Sequence, residues 1–218
     1  MFLRMVENKD EQIIMVVKND KLFGASNEGQ FQGFLDASSQ NFVSNITDNY
    51  FFHRRGDAEH DYTLKQPISY CIIVNPKIKK IYAYKRAASK EAYGETRLYG
   101  NWSIGVGGHI EQVDAKCDDP LTDSLKREIS EEVECDLERL DFKVLGYIND
   151  DSNDVGKVHF GVLYVALTKE ENILPKNAES VIGELKDISE IEEICKSDKV
   201  DNWTRIAYEP LVKFLREF

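Results

Sequence analysis

The chain has 218 residues, 42% of them hydrophobic and 31% charged, an ordinary soluble composition long enough for one domain of roughly 150 residues with a smaller appendage. Its 28 basic and 39 acidic residues leave a formal charge of −11, which argues against broad affinity for DNA or RNA, since that affinity comes from cationic side chains displacing counterions from phosphates. No apolar run reaches the roughly 18 residues that cross a bilayer, and residues 1–7 lack the basic-then-apolar order of a secretion signal, so we expect a cytoplasmic protein without membrane contact.

In chain order, Ile13–Val17 reads as a strand, Lys18–Lys21 as a turn and Leu22–Phe23 as its return. Gly24–Gln40 is rich in Gly, Ser and Gln, and Asn49–Arg55 looks like a short aromatic strand running into a basic pair. From Ile68 the pattern sharpens: Ile68–Val74 predicts a buried strand, Asn75-Pro76-Lys77 its turn, and Ile81–Arg86 the returning partner. Glycines punctuate Tyr99–Glu111, which implies close backbone approach there. Pro120–Val133 is the strongest helix, with Asp118 or Asp119 as N-cap and Pro120 suited to the first helical position. Strands follow over Phe142–Tyr147 and Val158–Leu167, joined by a polar turn through Asn149–Asn153. Helices over Ile188–Cys195 and Trp203–Phe218 close the chain, with Pro210 set to kink or divide the second.

The chemistry sits on the predicted helix Pro120–Val133. Glu128, Glu131 and Glu132 occupy i, i+3 and i+4, so they span an arc of about 100° on one helical face. Leu121, Leu125, Ile129 and Val133 form a slanting apolar stripe beside that arc, able to dock the helix while the acids face a cleft. Like charges this close repel, and a bound cation reverses the repulsion. All-oxygen ligands suit a hard ion, Mg²⁺ with Mn²⁺ as the alternative, able to neutralise phosphate oxygens and activate water. Cys71, Cys117, Cys135 and Cys195 stand too far apart for a zinc motif and read as reduced thiols. His109 and His159 read as structural, because metal-binding histidines usually come in clusters.

Gly107-Gly108-His109-Ile110-Glu111 followed by Arg127-Glu128-Ile129-Ser130-Glu131-Glu132 resembles the Nudix family, whose box runs G-x5-E-x7-R-E-U-x-E-E-x-G-U, U being a bulky aliphatic residue. Gly108 matches the first glycine, and Arg127, Glu128, Ile129, Glu131 and Glu132 match the core. Gly108 and Arg127 lie 19 positions apart, about five more than the box sets, so the loop Gln112–Asp118 is expanded. The first box glutamate falls on Asp114 counted forward and on Asp119 counted back. Glu134 and Cys135 replace the final glycine and aliphatic residue.

The resemblance, which covers about Gln66–Phe218, implies an α+β fold: a Nudix α/β/α sandwich with a mixed β-sheet at 65–218, and a small strand-rich N-terminal extension at 1–64, as in a subgroup described as predicted phosphoesterases. It implies a Nudix-type pyrophosphohydrolase that cleaves the diphosphate linkage of a nucleoside diphosphate joined to another moiety. Glu128 and Glu132 are then the principal metal ligands and Glu131 a third. Arg127 orients the acids, the Gly108 carbonyl adds a ligand, and Glu179 is the candidate for a downstream acid in metal binding or base catalysis. Arg54, Arg55, Lys85 and Arg86 are candidates for substrate phosphates, since guanidinium forks suit such oxygens. Trp102, Tyr99 and Phe160 are candidates to stack on a nucleobase, with a place in the core the favoured reading. The expected partner is a small anionic nucleotide-like substrate, and by analogy with other Nudix proteins a second copy in a homodimer. The competing functions are a catalytically silent Nudix-fold nucleotide sensor or regulator and, ranked last, a diphosphate isomerase, for which no cysteine is suitably placed.

Overall fold

The structure is a computed structural model that describes residues 8–87, 100–116, 118–176 and 180–218. In chain order its elements are β1 (Ile13–Lys18), α1 (Asn19–Leu22), β2 (Gly33–Asp36), α2 (Phe42–Asn49), β3 (Phe51–Arg54), α3 (Arg55–Ala58), β4 (Leu64–Asn75), β5 (Lys80–Arg86), β6 (Trp102–Ser103), β7 (Gly105–Val106), α4 (Pro120–Glu132), β8 (Val133–Glu134), β9 (Asp141–Asn149), α5 (Asp154–Val158), β10 (His159–Leu167), β11 (Leu174–Pro175), β12 (Ser180–Asp187), α6 (Ile188–Lys196) and α7 (Asn202–Leu215). The main sheet runs β12-β5-β4-β10-β9-β2, with β1, β3, β6 and β7 attached, in the mixed α/β architecture expected. No helix among the described residues is long and apolar enough to cross a membrane.

The sequence expectations shift at a few points for local reasons. Asn19–Leu22 forms one helical turn where a turn and return strand were expected, because Leu22 and Phe23 are buried together. Strand β4 starts at Leu64, four residues before the predicted strand, and is buried along its whole length, Lys65 and Gln66 included. Pro210 lies inside an unbroken α7: Ala207, Leu211 and Leu215 bury one face, which offsets the lost backbone hydrogen bond, a cost of about 3 kcal/mol.

The chain divides into two compact units, and β4, β9, β10 and α4 each contribute residues to both. The first unit draws on the segments ending at Ser69, on Gly108–Ser124 and on Tyr147–Val162. In it β1 pairs antiparallel with β3, from Ile13↔Arg54 to Val16↔Phe51, and with the start of β4 at Val17↔Lys65. Single bridges join Ile14 to Glu111 and Ile68 to His109. Phe23, Phe31, Phe42, Tyr147 and Phe160 form an aromatic cluster with ring centroids 5.0–6.1 Å apart, mostly edge to face, the arrangement ring quadrupoles favour.

The second unit comprises Tyr70–Gly107, Leu125–Gly146 and Leu163–Phe218. Strand β5 pairs with β12 from Ser180↔Arg86 to Asp187↔Lys80, with β4 at Val74↔Ile81 and with β6 at Tyr84↔Ser103; β7 pairs with β4 at Cys71↔Val106. The close approach implied by the glycine-punctuated stretch is found at Gly105. A Cβ there would lie 1.9 Å from Tyr70 Cζ, and the Tyr84 hydroxyl donates to the Gly105 carbonyl at 2.9 Å.

Candidate active site

Helix α4 carries the acids, and its ends are fixed by different devices. At the start, Asp119 Oδ1 accepts the Thr122 N–H at 3.1 Å, and Pro120 fills the first helical position, where its missing N–H costs nothing. Asp114 is buried and folds back to accept the Glu111 N–H at 2.8 Å. Both aspartates that the expanded loop offers to the box are thus engaged with local backbone.

The other end uses no left-handed glycine. Val133 and Glu134 leave the helix directly as β8 and pair with Pro175 and Leu174 of β11. The Lys176 N–H donates to the Glu132 carbonyl at 2.8 Å, and its ammonium to the Ser130 carbonyl at 2.6 Å. Partners from the neighbouring segment therefore satisfy last-turn carbonyls that a glycine cap would otherwise serve.

Between these ends Leu121, Leu125, Ile129 and Val133 are at most 2% exposed, as the apolar stripe predicts. Glu128, Glu131 and Glu132 lie on the less buried side. The Arg127 guanidinium is 2.7 Å from Glu128 and 3.9 Å from Glu131, and the Glu128 side chain is 13% exposed against 41% for Glu131. Burial raises the Tyr82 hydroxyl well above its ordinary range, and the Glu132 charge adds to that effect, so this carboxylate is felt at the ring on β5.

The other candidates are distributed as follows. Arg86, on β5, lies 5.1 Å from the Tyr84 ring centroid. Arg54 makes a two-pronged contact with Glu11, at 2.6 and 3.0 Å, and reaches Asp57 at 3.1 Å. Arg55 bonds Glu59 at 3.3 Å and Gln12 at 3.0 Å. Gly108 belongs to the first unit, just ahead of the His109 bridge. Glu179 and Tyr99 lie outside the described residues. Phe160 is fully buried in the aromatic cluster, which agrees with the favoured core reading, and the half-buried Trp102 ring has the Lys186 ammonium 5.3 Å from its centroid.

One constellation had no counterpart in the sequence reading. Glu59, His109 and His159 present ligating atoms within 4.8 Å of one another, although about 50 residues separate each from the next in the chain. Spacing carries no signal for such a group; only the pairing of Ile68 with His109 and the start of β10 at His159 bring it together. Burial lowers both imidazoles below the ordinary histidine range, with the Arg55 charge acting in the same direction. The first unit also has a cleft of about 360 Å³ lined by Asn8, Glu11, Gln12, Ile13, Glu111, Gln112 and Val113, none of them a box acid.

No family model matches the chain. It is 31% identical over 209 residues to protein YmaB of Bacillus subtilis (strain 168), spanning 93% of this chain and 98% of that one. The crystal structure of Tm1382, assigned to the Nudix hydrolases, superposes with a TM-score of 0.69 and 26% identity, covering 95% of this chain and all of that one. The NUDIX domain of Shewanella oneidensis NrtR, crystallised with ADP ribose, gives a TM-score of 0.50 at 15% identity over 70% of this chain and 87% of that one, a likeness of fold. With the glutamate helix formed and Tm1382 matched along its whole length, the chain belongs to the Nudix hydrolase family.

Proposed function

We propose that the chain hydrolyses the diphosphate linkage of a nucleoside diphosphate joined to another moiety, with Mg²⁺, or Mn²⁺ in its place, held by Glu128, Glu131 and Glu132. The observation that carries this reading is the division of α4 into a fully buried apolar stripe and a carboxylate face braced by Arg127. The donor set fits a hard divalent ion: it is all oxygen, and Glu128 at 13% and Glu131 at 41% exposure remain within reach of solvent. When bound, such a cation offsets charge on phosphate oxygens and favours the ionised form of a water.

The remaining roles fall to the chain's own groups. Arg127 holds Glu128 in one orientation, the Gly108 carbonyl supplies a further oxygen, and Glu179 accepts the proton of the water that attacks phosphorus. The bridging P–O bond breaks, and the leaving phosphate departs with its electron pair. Arg86, Arg54 and Arg55 are the proposed partners for substrate phosphate oxygens. The substrate is a small anionic nucleotide-like molecule, and ADP ribose, present with the NrtR domain, belongs to that chemical class. Residues 1–64 serve as an extension to the hydrolase domain at 65–218, and the protein works in the cytoplasm, as a homodimer.

The test is a panel of nucleotide sugars, dinucleoside polyphosphates, dinucleotide cofactors and nucleoside triphosphates, assayed with Mg²⁺ or Mn²⁺. Turnover of one class, abolished in Glu132→Gln, is the expected result. Tight nucleotide binding without turnover would replace the enzyme by a sensor, and full activity in Glu132→Gln would overturn the metal assignment.

A further inference from the structure

Each of the three chain segments that build the first unit supplies one member of the Glu59, His109 and His159 cluster. The two Nε2 atoms are 3.1 Å apart, and Gln66 Oε1 lies 2.7 Å from that of His109. His159 Nδ1 donates to the Val155 carbonyl at 2.6 Å, so the Nε2 of the neutral ring carries a lone pair. A proton on His109 Nε2 therefore faces two acceptors at once, His159 Nε2 and Gln66 Oε1. Several lone pairs converging on one small volume is what a cation requires.

We propose that this cluster binds a divalent transition-metal ion of the Zn²⁺ class, with His109 and His159 as nitrogen ligands, a Glu59 oxygen as the third donor and the Gln66 carbonyl oxygen beside them as the fourth. Two nitrogens each about 2.05 Å from one ion are about 2.9 Å apart at a right angle and about 3.3 Å apart at the tetrahedral angle. The observed 3.1 Å lies between these limits. Imidazole with carboxylate selects zinc-like ions, whereas Mg²⁺ prefers oxygen alone and suits the acids of α4.

The surroundings supply the outer partners that such ligands need. The Val155 carbonyl fixes the His159 tautomer, and Arg55 holds the Glu59 carboxylate at 3.3 Å. Arg55 also cancels part of the ligand charge, which sets the site for moderate affinity. The Glu59 side chain is 21% exposed and His109 is only partly buried, which leaves a path for the ion. The bound ion joins the three segments, so its first consequence is stability of this unit.

The test uses the full-length protein, stripped with a chelator and titrated with Zn²⁺ against a chromophoric competitor, with Co²⁺ as spectroscopic probe. The expected result is one Zn²⁺ per chain, retained in Glu132→Gln, bound at least ten-fold more weakly by Glu59→Gln and by His159→Gln, and raising the Tm of the wild type and of Glu132→Gln more than that of the two ligand variants. Should the His159 variant fail to fold, wild-type Co²⁺ spectra decide: selective perturbation of the His109 and His159 imidazole NMR signals supports the site. Absence of that perturbation, no retained Zn²⁺, or unchanged affinity in a folded Glu59→Gln protein overturns it. Retention in Glu132→Gln separates this outcome from the fate of the hydrolase reading.

Discussion

The Arg127 guanidinium lies 2.7 Å from the carboxylate of its chain neighbour Glu128. Adjacent helical residues do not normally face each other, so both side chains must lean along the helix to meet. At 19% and 13% exposure the pair is better shielded than a surface ion pair worth about 0–1 kcal/mol. That shielding makes Arg127 a positioning residue whose removal acts through Glu128.

Arg127→Ala is expected to weaken activation by Mg²⁺ about 10–100-fold, the usual effect of losing an outer partner of a metal ligand. Arg127→Lys recovers only part of this, because a flexible point-charge ammonium does not reproduce the fixed direction in which the guanidinium N–H meets Glu128. Metal titrations of activity, with circular dichroism to confirm folding, check it. Equal activation constants in all three proteins would remove the positioning role.

Asp119 caps α4 through the Thr122 N–H, so Asp119→Ala should cost about 0.5–2 kcal/mol of stability. Asp119→Ser keeps an oxygen acceptor and should recover most of that. If the aspartate only caps, the metal activation constant does not move in either variant. Urea denaturation beside a Mg²⁺ titration distinguishes a cap from a ligand that the expanded loop had carried to this position.

These two aspartates show where the sequence was legible and where it was not. Spacing alone placed the α4 stripe, because burial of Leu121, Leu125, Ile129 and Val133 follows from helical geometry. It could not decide between Asp114 and Asp119, since an inserted loop erases the register; the fold engages Asp114 with the Glu111 N–H and Asp119 with the Thr122 N–H. The end of α4 was hidden for a similar reason: its carbonyls are served by Lys176, some 44 residues downstream of Glu132. The His109 and His159 cluster is the extreme case, assembled by strand pairing from positions with no local pattern. Features set by local periodicity were visible, and those set by long-range pairing were not.

Gly183 on β12 exists for lack of space. A Cβ there would lie 2.4 Å from the Tyr82 hydroxyl and 3.0 Å from Pro175 Cδ. Gly183→Ala is expected to destabilise by about 1–3 kcal/mol through overpacking. Adding Tyr82→Phe removes the nearest atom and should restore part of the loss, a coupling of about 0.5–1 kcal/mol in a double-mutant cycle. Strict additivity would mean that the strain lies elsewhere on β12.

Lys65 and Asp151 form a pair of unequal burial: the ammonium is 1% exposed, the carboxylate 29%, at a separation of 2.7 Å. Lys65 also donates to the Gly156 carbonyl, whereas Asp151 keeps the amides of Gln30 and Asn149. Asp151→Ala therefore strands a buried charge and should cost about 3–5 kcal/mol, more than Lys65→Met, which leaves one carbonyl without its donor at about 1–3 kcal/mol. Burial alone raises the Asp151 carboxyl, but the bond to Lys65, its charge and the two amides outweigh that and leave it below its ordinary value. The folded state thus holds fewer protons on this group than the unfolded chain does. The stability it contributes is complete above the unfolded aspartate value, about 3.9, and is lost as the pH falls through the lower folded value. Urea denaturation of wild type and Asp151→Ala across the acid limb should show their difference shrinking as the pH drops through that window. A difference independent of pH there would mean that the carboxylate charge does not stabilise the fold.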